Sequence, residues 1–185
     1  MRWMAILAFA VASPAVADEF CHDLWLARNA IMDRAGYCFG SVLGQAVFDN
    51  ADCVGKSVSL TPDAQATVAR IQERESENAC RVNTKQTTLD VKALELRLDL
   101  VHQPVRDLYE SACLGWLGPV TPLRAGHDGG AAVVGEVHRG DFVLYSHEPV
   151  GDWAYVTVSD SDWLVITAGW MDFSSVDETC TDYAG

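Results

Sequence analysis

Six cysteines, Cys21, Cys38, Cys53, Cys80, Cys113 and Cys180, constrain this chain more than any other feature, and all of them follow an apolar N-terminal stretch. That stretch carries Arg2, an apolar run over residues 3–12 and the small-residue string Ala15-Val16-Ala17. This is the pattern of a secretory signal peptide over residues 1–17, and it predicts a periplasmic or secreted product that begins at Asp18. An even set of cysteines after an export signal reads as three disulfides formed in an oxidising compartment. A membrane anchor needs roughly 20 consecutive apolar residues, and no later segment supplies them, so membrane insertion is not expected. No C-x-x-C pair or Cys/His group stands at ligand spacing, which argues against a zinc site, and no cofactor is expected.

Charge narrows the partners. Twenty-six acids against thirteen lysines and arginines give a net charge of −13. Removing residues 1–17 takes away Arg2 and no acid, so the exported product is one unit more negative. Such a chain is repelled by nucleic acid and by anionic lipid heads. Nucleic acid is therefore not an expected partner, whereas cationic proteins and amine-bearing ligands are.

Periodicity changes near Trp116: apolar residues recur at helical spacing before it, and short alternating runs separated by glycines follow it. A first helix is predicted over residues 23–35, with Leu24, Ala27, Ile31 and Ala35 on one face. Gly36 stands where a left-handed residue ends a helix, with Tyr37 packing back on Met32. Arg28 borders the apolar face, where its stem can pack while its guanidinium reaches a carbonyl or carboxylate; Arg28 and Asn29 are expected to tie the helix to the loop after Phe39. That loop runs to Cys53 and buries Leu43, Val47 and Phe48.

Thr61, Pro62 and Asp63 mark the start of a second helix, with the stripe Ala64, Val68 and Ile71 and a solvated face over residues 72–78. A third is expected over residues 89–101, with Val91, Leu94, Leu98 and Val101 on one side and Pro104 closing it. Five runs, VTPLRAG, AVVGEV, DFVLYS, WAYVTV and WLVITAGWM, then read as strands of a small barrel.

Six cysteines allow fifteen connectivities. The element order favours Cys38 with Cys53, which closes the loop after the first helix, and Cys21 with Cys80, which ties that helix to the end of an antiparallel second one. Cys113 with Cys180 then joins the ends of the barrel.

Both halves resemble known families. LARNAIMDRAGYCF is similar to the core of the YARHG domain, a small helical module of exported bacterial proteins; Leu26, Arg28, Asn29, Ile31, Arg34, Gly36, Tyr37 and Phe39 match. Met32 and Ala35 replace the tyrosine and histidine that name it. The C-terminal part resembles bacterial SH3-like domains: Leu123-Arg124-Ala125-Gly126 matches their L-R-x-G string, and Val134-Gly135, Gly140-Asp141, GDWAYV and Gly169-Trp170 follow in order. The segment TVSDSDWLVITA between the two tryptophan signatures is longer and more apolar than the usual hairpin.

The resemblances imply an α+β protein: a disulfide-tied small helical domain over residues 18–115, an SH3-like small β-barrel over 116–174 and a tail over 175–185 stapled by Cys180. The SH3-like likeness implies binding of cell-wall peptide or an envelope protein, without enzymatic activity. Trp153, Tyr155, Trp163 and Trp170 are the aromatic candidates. Trp153, directly after a Gly-Asp turn, is the expected exposed anchor, beside His127 and Asp128 in the glycine-rich segment 127–130.

Two other readings compete with this one. An acidic surface could dock on a cationic envelope enzyme, as an inhibitor or partner does. NADCVG around Cys53, with His102, resembles cell-wall cysteine peptidases, but the pattern those enzymes show around the histidine is missing and Cys53 belongs to an even set. No G-x-S-x-G, H-E-x-x-H or phosphate loop is present. Exported protein should therefore begin at Asp18 by intact mass and show no free thiol on titration in its folded form. Retention of residues 1–17 or a titratable thiol would overturn the reading.

Overall fold

The structure, a computed structural model, describes residues 14–185, so most of the proposed signal peptide lies outside the described residues. Four helices precede or border a single antiparallel sheet. Helix α1 spans Pro14–Arg34, α2 Val42–Val47, α3 Pro62–Glu77 and α4 Leu94–Leu98. The strands are β1 Arg106–Trp116, β2 Thr121–Arg124, β3 Val133–Val137, β4 Phe142–His147, β5 Trp153–Ser159, β6 Val165–Asp172 and β7 Cys180–Ala184. No described helix is long and apolar enough to cross a membrane.

α1 starts earlier than its periodicity suggests and is buried on two sides. Phe20, Cys21, Leu24 and Ala27 pack with Ile71 of α3 and Val105. Trp25, Leu26 and Ala30 pack with Phe39, Leu43, Phe48, Leu89 and Val91. It ends as the sequence predicts: Gly36 is left-handed, its N–H donates to the Asp33 carbonyl at 2.7 Å, and the Tyr37 N–H reaches back to Met32 at 3.1 Å, the paired bonds of a Schellman stop. A Cβ on Gly36 would also strike Val54.

α3 is capped by Thr61, whose Oγ1 accepts from the Ala64 N–H at 3.2 Å. Its last turns are not simply a solvated face. Glu75 accepts from Arg28 through Nε and Nη2 at 3.0–3.2 Å, so Arg28 ties α1 to α3 rather than to the loop after Phe39. Asn29 bonds within its own helix, to the Trp25 carbonyl at 2.7 Å. The loop after Phe39 is held by Asn50, whose side-chain amide bonds both the N–H and the carbonyl of Phe39 at 2.9 Å. It contains a short helix that the sequence reading missed, with Ser41 as N-cap.

The third predicted helix is the largest departure. Only Leu94–Leu98 is helical, because Ala93 adopts a left-handed conformation. Leu89 and Val91 are buried from irregular chain, while Val101 is exposed.

All five predicted strands are present, and two more join them. The order is β3-β2-β6-β5-β4-β1-β7, an open sheet where the sequence suggests a small closed barrel. β1 lies upstream of the compositional change at Trp116 and pairs with both β4 and β7. β7, from the expected tail, forms one edge. At the other edge the sheet curls, and Gly135 of β3 sits where a Cβ would clash with Thr167 of β6. Cys113, Trp116, Leu123, Val137, Val143, Val156, Val158 and Met171 form the core of one face.

Three disulfides are formed, Cys21–Cys80, Cys38–Cys53 and Cys113–Cys180, the pairs favoured by the element order, and the described residues hold no free cysteine. The Cys113–Cys180 bridge spans 67 residues of sequence and anchors the edge strand β7. Replacing both cysteines by serine should cost about 4 kcal/mol on the chain-entropy account, seen as a lower urea midpoint. The amides of β7 should lose protection from hydrogen exchange first.

Candidate functional site

The sheet uses its two faces differently. Opposite the core face just described, Ala112, Leu144, Thr157 and Ala168 stand in cross-strand register. Beside them Tyr155 and Trp170 form the next pair. Tyr155, Ala168 and Trp170 are covered by Leu100, with Ala93 and Leu96 packed against them. Where that cover stops, a cavity of about 270 Å³ opens between the helices and the sheet.

The inner part of the cavity is lined by Asp23 of α1, Arg97 of α4, and His147 and Tyr155 of the sheet. Arg97 is only 1% exposed. Its Nη1 donates to Asp23 Oδ2 at 2.8 Å, and its guanidinium carbon lies 5.2 Å from the centre of the Tyr155 ring. His147 Nε2 is 3.1 Å from the same carboxylate oxygen, and Nδ1 is 3.1 Å from the Ser146 hydroxyl. A proton on Nε2 satisfies both contacts, with Ser146 donating to Nδ1; the 3.1 Å approach of Arg97 to Nε2 is then not a hydrogen bond.

Burial and charge set the protonation states. Burial alone would raise the Asp23 pKa, but Arg97 and then His147 outweigh it and hold the carboxyl well below the usual carboxylate range. Burial pushes the His147 ring below the ordinary imidazole value against the pull of Asp23, and it pushes the Tyr155 phenol up to about 12. The site therefore holds an ionised acid–guanidinium pair beside a neutral imidazole.

The outer part is more mixed. Arg106 donates to the Ser146 carbonyl at 3.0 Å and pairs with Glu110, at a bulge of β1 where the register with β4 shifts. Glu19 and Lys92 form an ion pair at 3.3 Å on the cavity wall. Trp163, 54% exposed, stands edge-on to Phe142. It has a left-handed backbone, unusual for a bulky residue, within a turn where Asp160 accepts from the N–H groups of Asp162 and Leu164. The neighbouring Leu164, Val165 and Ile166 are also exposed.

Of the residues singled out in the sequence, the structure brings Tyr155 and Trp163 to this cavity. Trp170 is 1% exposed and its indole N–H donates to the His102 carbonyl at 2.8 Å, so it is core rather than platform. His127 stacks on His102 at 4.1 Å and meets Trp170 edge-on. Asp128 lies 3.8 Å from His102 and bonds the Gly130 N–H; this cluster orders the segment 127–130. Trp153 is half-buried against the Leu100 and Trp170 cluster and lines a separate, more open hollow with Gly151, Asp152 and Phe173. Trp153 and His127 thus both pack against Trp170, and neither His127 nor Asp128 lines the hollow beside Trp153. Cys53, bonded to Cys38, offers no thiolate.

Sequence reading missed Asp23, Arg97, Arg106 and His147. Two of them left a trace. Asp23 interrupts an apolar stretch between Phe20 and Leu24, and Arg97 sits among leucines in LELRL; charges placed in apolar runs are buried only when paired.

A family model described as a domain of unknown function, DUF4453, matches residues 79–185, more than half of the chain. The chain belongs to the DUF4453 family. Its N-terminal part carries a YARHG domain, matched over residues 3–76. No curated protein and no solved structure matches the chain. The DUF4453 part thus supplies α4 and all seven strands, whereas the YARHG domain supplies α1 and Asp23. The cavity is shared by the two.

The depressed pKa values of Asp23 and His147 act in the same direction. A neutral buried imidazole disfavours the folded state once the unfolded chain begins to bind its proton near 6.5. A depressed carboxyl loses its contribution as pH falls through the carboxylate range. Stability should therefore fall from about pH 7 to about pH 5, and His147→Gln should flatten part of that slope in thermal melts. An unchanged slope would show that His147 does not carry it.

Proposed function

We propose that this is an exported envelope protein, periplasmic or secreted, that binds cell-wall peptide or a protein partner without enzymatic activity, and that the cavity between the YARHG domain and the DUF4453 sheet is its binding site. One observation carries the reading: buried charged side chains form the inner end of the cavity and an exposed indole in a left-handed turn forms its rim. Concave sites with a few convergent polar groups beside apolar walls are the usual form of a ligand pocket. Both signs of charge line this one, Arg97, Arg106 and Lys92 against Asp23, Glu19 and Glu110, which suits a peptide bearing amine and carboxylate groups. Three disulfides and the signal-like leader support an oxidising, exported setting. The L-R-x-G string in and after β2 and the tryptophan signatures in β5 and β6 support reading the β2 to β6 portion as SH3-like.

A second reading, an acidic partner or inhibitor of a cationic envelope enzyme, draws on the net charge of −13 and the exposed apolar residues 163–166. Incubation with purified sacculi and, separately, with detergent-extracted envelope proteins distinguishes the two. Wall binding predicts retention on sacculi that drops by about tenfold in Trp163→Ala, the loss of a hot-spot aromatic, with an unchanged melting temperature. Retention on extracted protein alone, abolished by salt, would favour the inhibitor reading, and binding indifferent to Trp163 would place the site elsewhere.

A further inference from the structure

The inner end of the cavity is under-satisfied in a directional way. Arg97 spends one nitrogen, Nη1, on Asp23; its Nε and Nη2 are buried and have no hydrogen-bond partner in the protein. Those two nitrogens form the edge of a guanidinium that grips a carboxylate through two parallel N–H···O bonds. Arg106 Nε and the Tyr155 hydroxyl, on two further residues that line the cavity, are also buried without a partner. A buried donor left unpaired is costly, so four such donors on three side chains around one cavity point to an acceptor from outside the chain.

Charge gives the sign of that acceptor. Asp23 balances Arg97, His147 is held neutral by burial, and the acid that answers Arg106 is Glu110, which is mostly solvent-exposed. Asp23 Oδ1, an acceptor, and the Tyr145 hydroxyl are also buried on this cavity without a partner, but the four donors outnumber them, so the buried set is left with an excess of positive charge and of donors. At the rim, the Trp163 indole and the Leu144 side chain supply apolar surface.

The geometry points to a carboxylate receptor: the cavity binds the free carboxylate end of a peptide or of a small organic acid, seated on the Nε and Nη2 edge of Arg97 with help from Arg106 and the Tyr155 hydroxyl, while the adjoining apolar group rests on Trp163. This inference rests on the binding reading of the same cavity and names the chemistry it selects. A phosphate or sulfate would bring a second charge that the single buried excess does not answer. An amine could answer only the one unpaired carboxylate oxygen, Asp23 Oδ1, and would leave the Arg97 edge without an acceptor.

NMR titration of the full exported chain with three probes tests the assignment: N-acetyl-Ala-Ala as the free acid, the same dipeptide as its C-terminal amide, and propionate. The free acid should shift the Arg97 Nε–H and Trp163 indole N–H resonances and saturate, and the amide should bind at least tenfold more weakly. Propionate binding as well as the dipeptide acid assigns the site to small acids; weaker binding assigns it to peptide ends. Arg97→Lys, which keeps the charge but loses the two-toothed edge, should weaken the acid by tenfold or more. Tyr155→Phe, which removes only the hydroxyl, should weaken it by a few-fold and keep the fold.

Equal shifts from acid and amide, or no movement of the Arg97 resonance at millimolar acid, would overturn the inference. The comparison of acid with amide uses the unaltered protein, so poor folding of a variant does not blur it. Retention on sacculi with no preference for acid over amide sinks this inference alone. A clear preference without retention sinks the wall-binding reading and leaves the carboxylate site standing.

Discussion

The contact of Arg97 with Asp23, 74 residues apart in sequence, is the interaction on which the arrangement of the two halves depends. Asp23 comes from the long YARHG helix, Arg97 from the short helix before the sheet, and His147 from the end of a central strand. Three elements meet on one carboxylate. A buried ion pair adds little net stability compared with an apolar substitute, but removing one partner costs about 3–5 kcal/mol because the other charge is stranded. The pair therefore acts mainly to fix which surfaces face each other.

Other contacts support the same joint. Arg74 of α3 donates to Glu148 at 2.7 Å, and Arg70 reaches the same carboxylate, so the second long helix is tied to the chain that follows β4. Arg28 joins α1 to α3 through Glu75. Leu100 packs on Tyr155, Ala168 and Trp170, an apolar seal beside the ionic cluster. Part of the outer face of the sheet is thus covered and part is left as the cavity wall. A sheet with one face closed in its own core and the other shared with a helical module can form a site at their junction without any insertion devoted to it.

β7 and the Cys113–Cys180 bridge have a related effect. Without them β1 would be an edge strand and the Glu110 and Ser111 side of the cavity would face open solvent along an unpaired backbone. With β7 in place, Ala184 and Gly185 form part of the lining.

The sequence by itself determined the features that depend on near neighbours. Gly36 ends α1 because only a residue at ease with positive φ closes that turn. Thr61 and Pro62 start α3 because one hydroxyl and one missing N–H suit the first turn, and five strands follow from alternation. The disulfide pairs followed from element order, since each pair joins ends that adjacent elements bring together. Tertiary structure decided the rest. Ala93 takes a left-handed turn that shortens the third helix so that Leu89 and Val91 reach one core while Arg97 reaches Asp23. β1 and β7 become strands because each finds a partner edge, although RDLYE and CTDYA alternate poorly. Trp153, expected from its Gly-Asp turn to be the exposed anchor, is drawn half-buried onto Trp170, which His127 also meets, and Trp163 becomes the exposed indole. The cavity was illegible for the same reason: its residues come from sites 74 and 124 positions apart, and no periodicity of 3.6 or 2 links residues that only packing brings together.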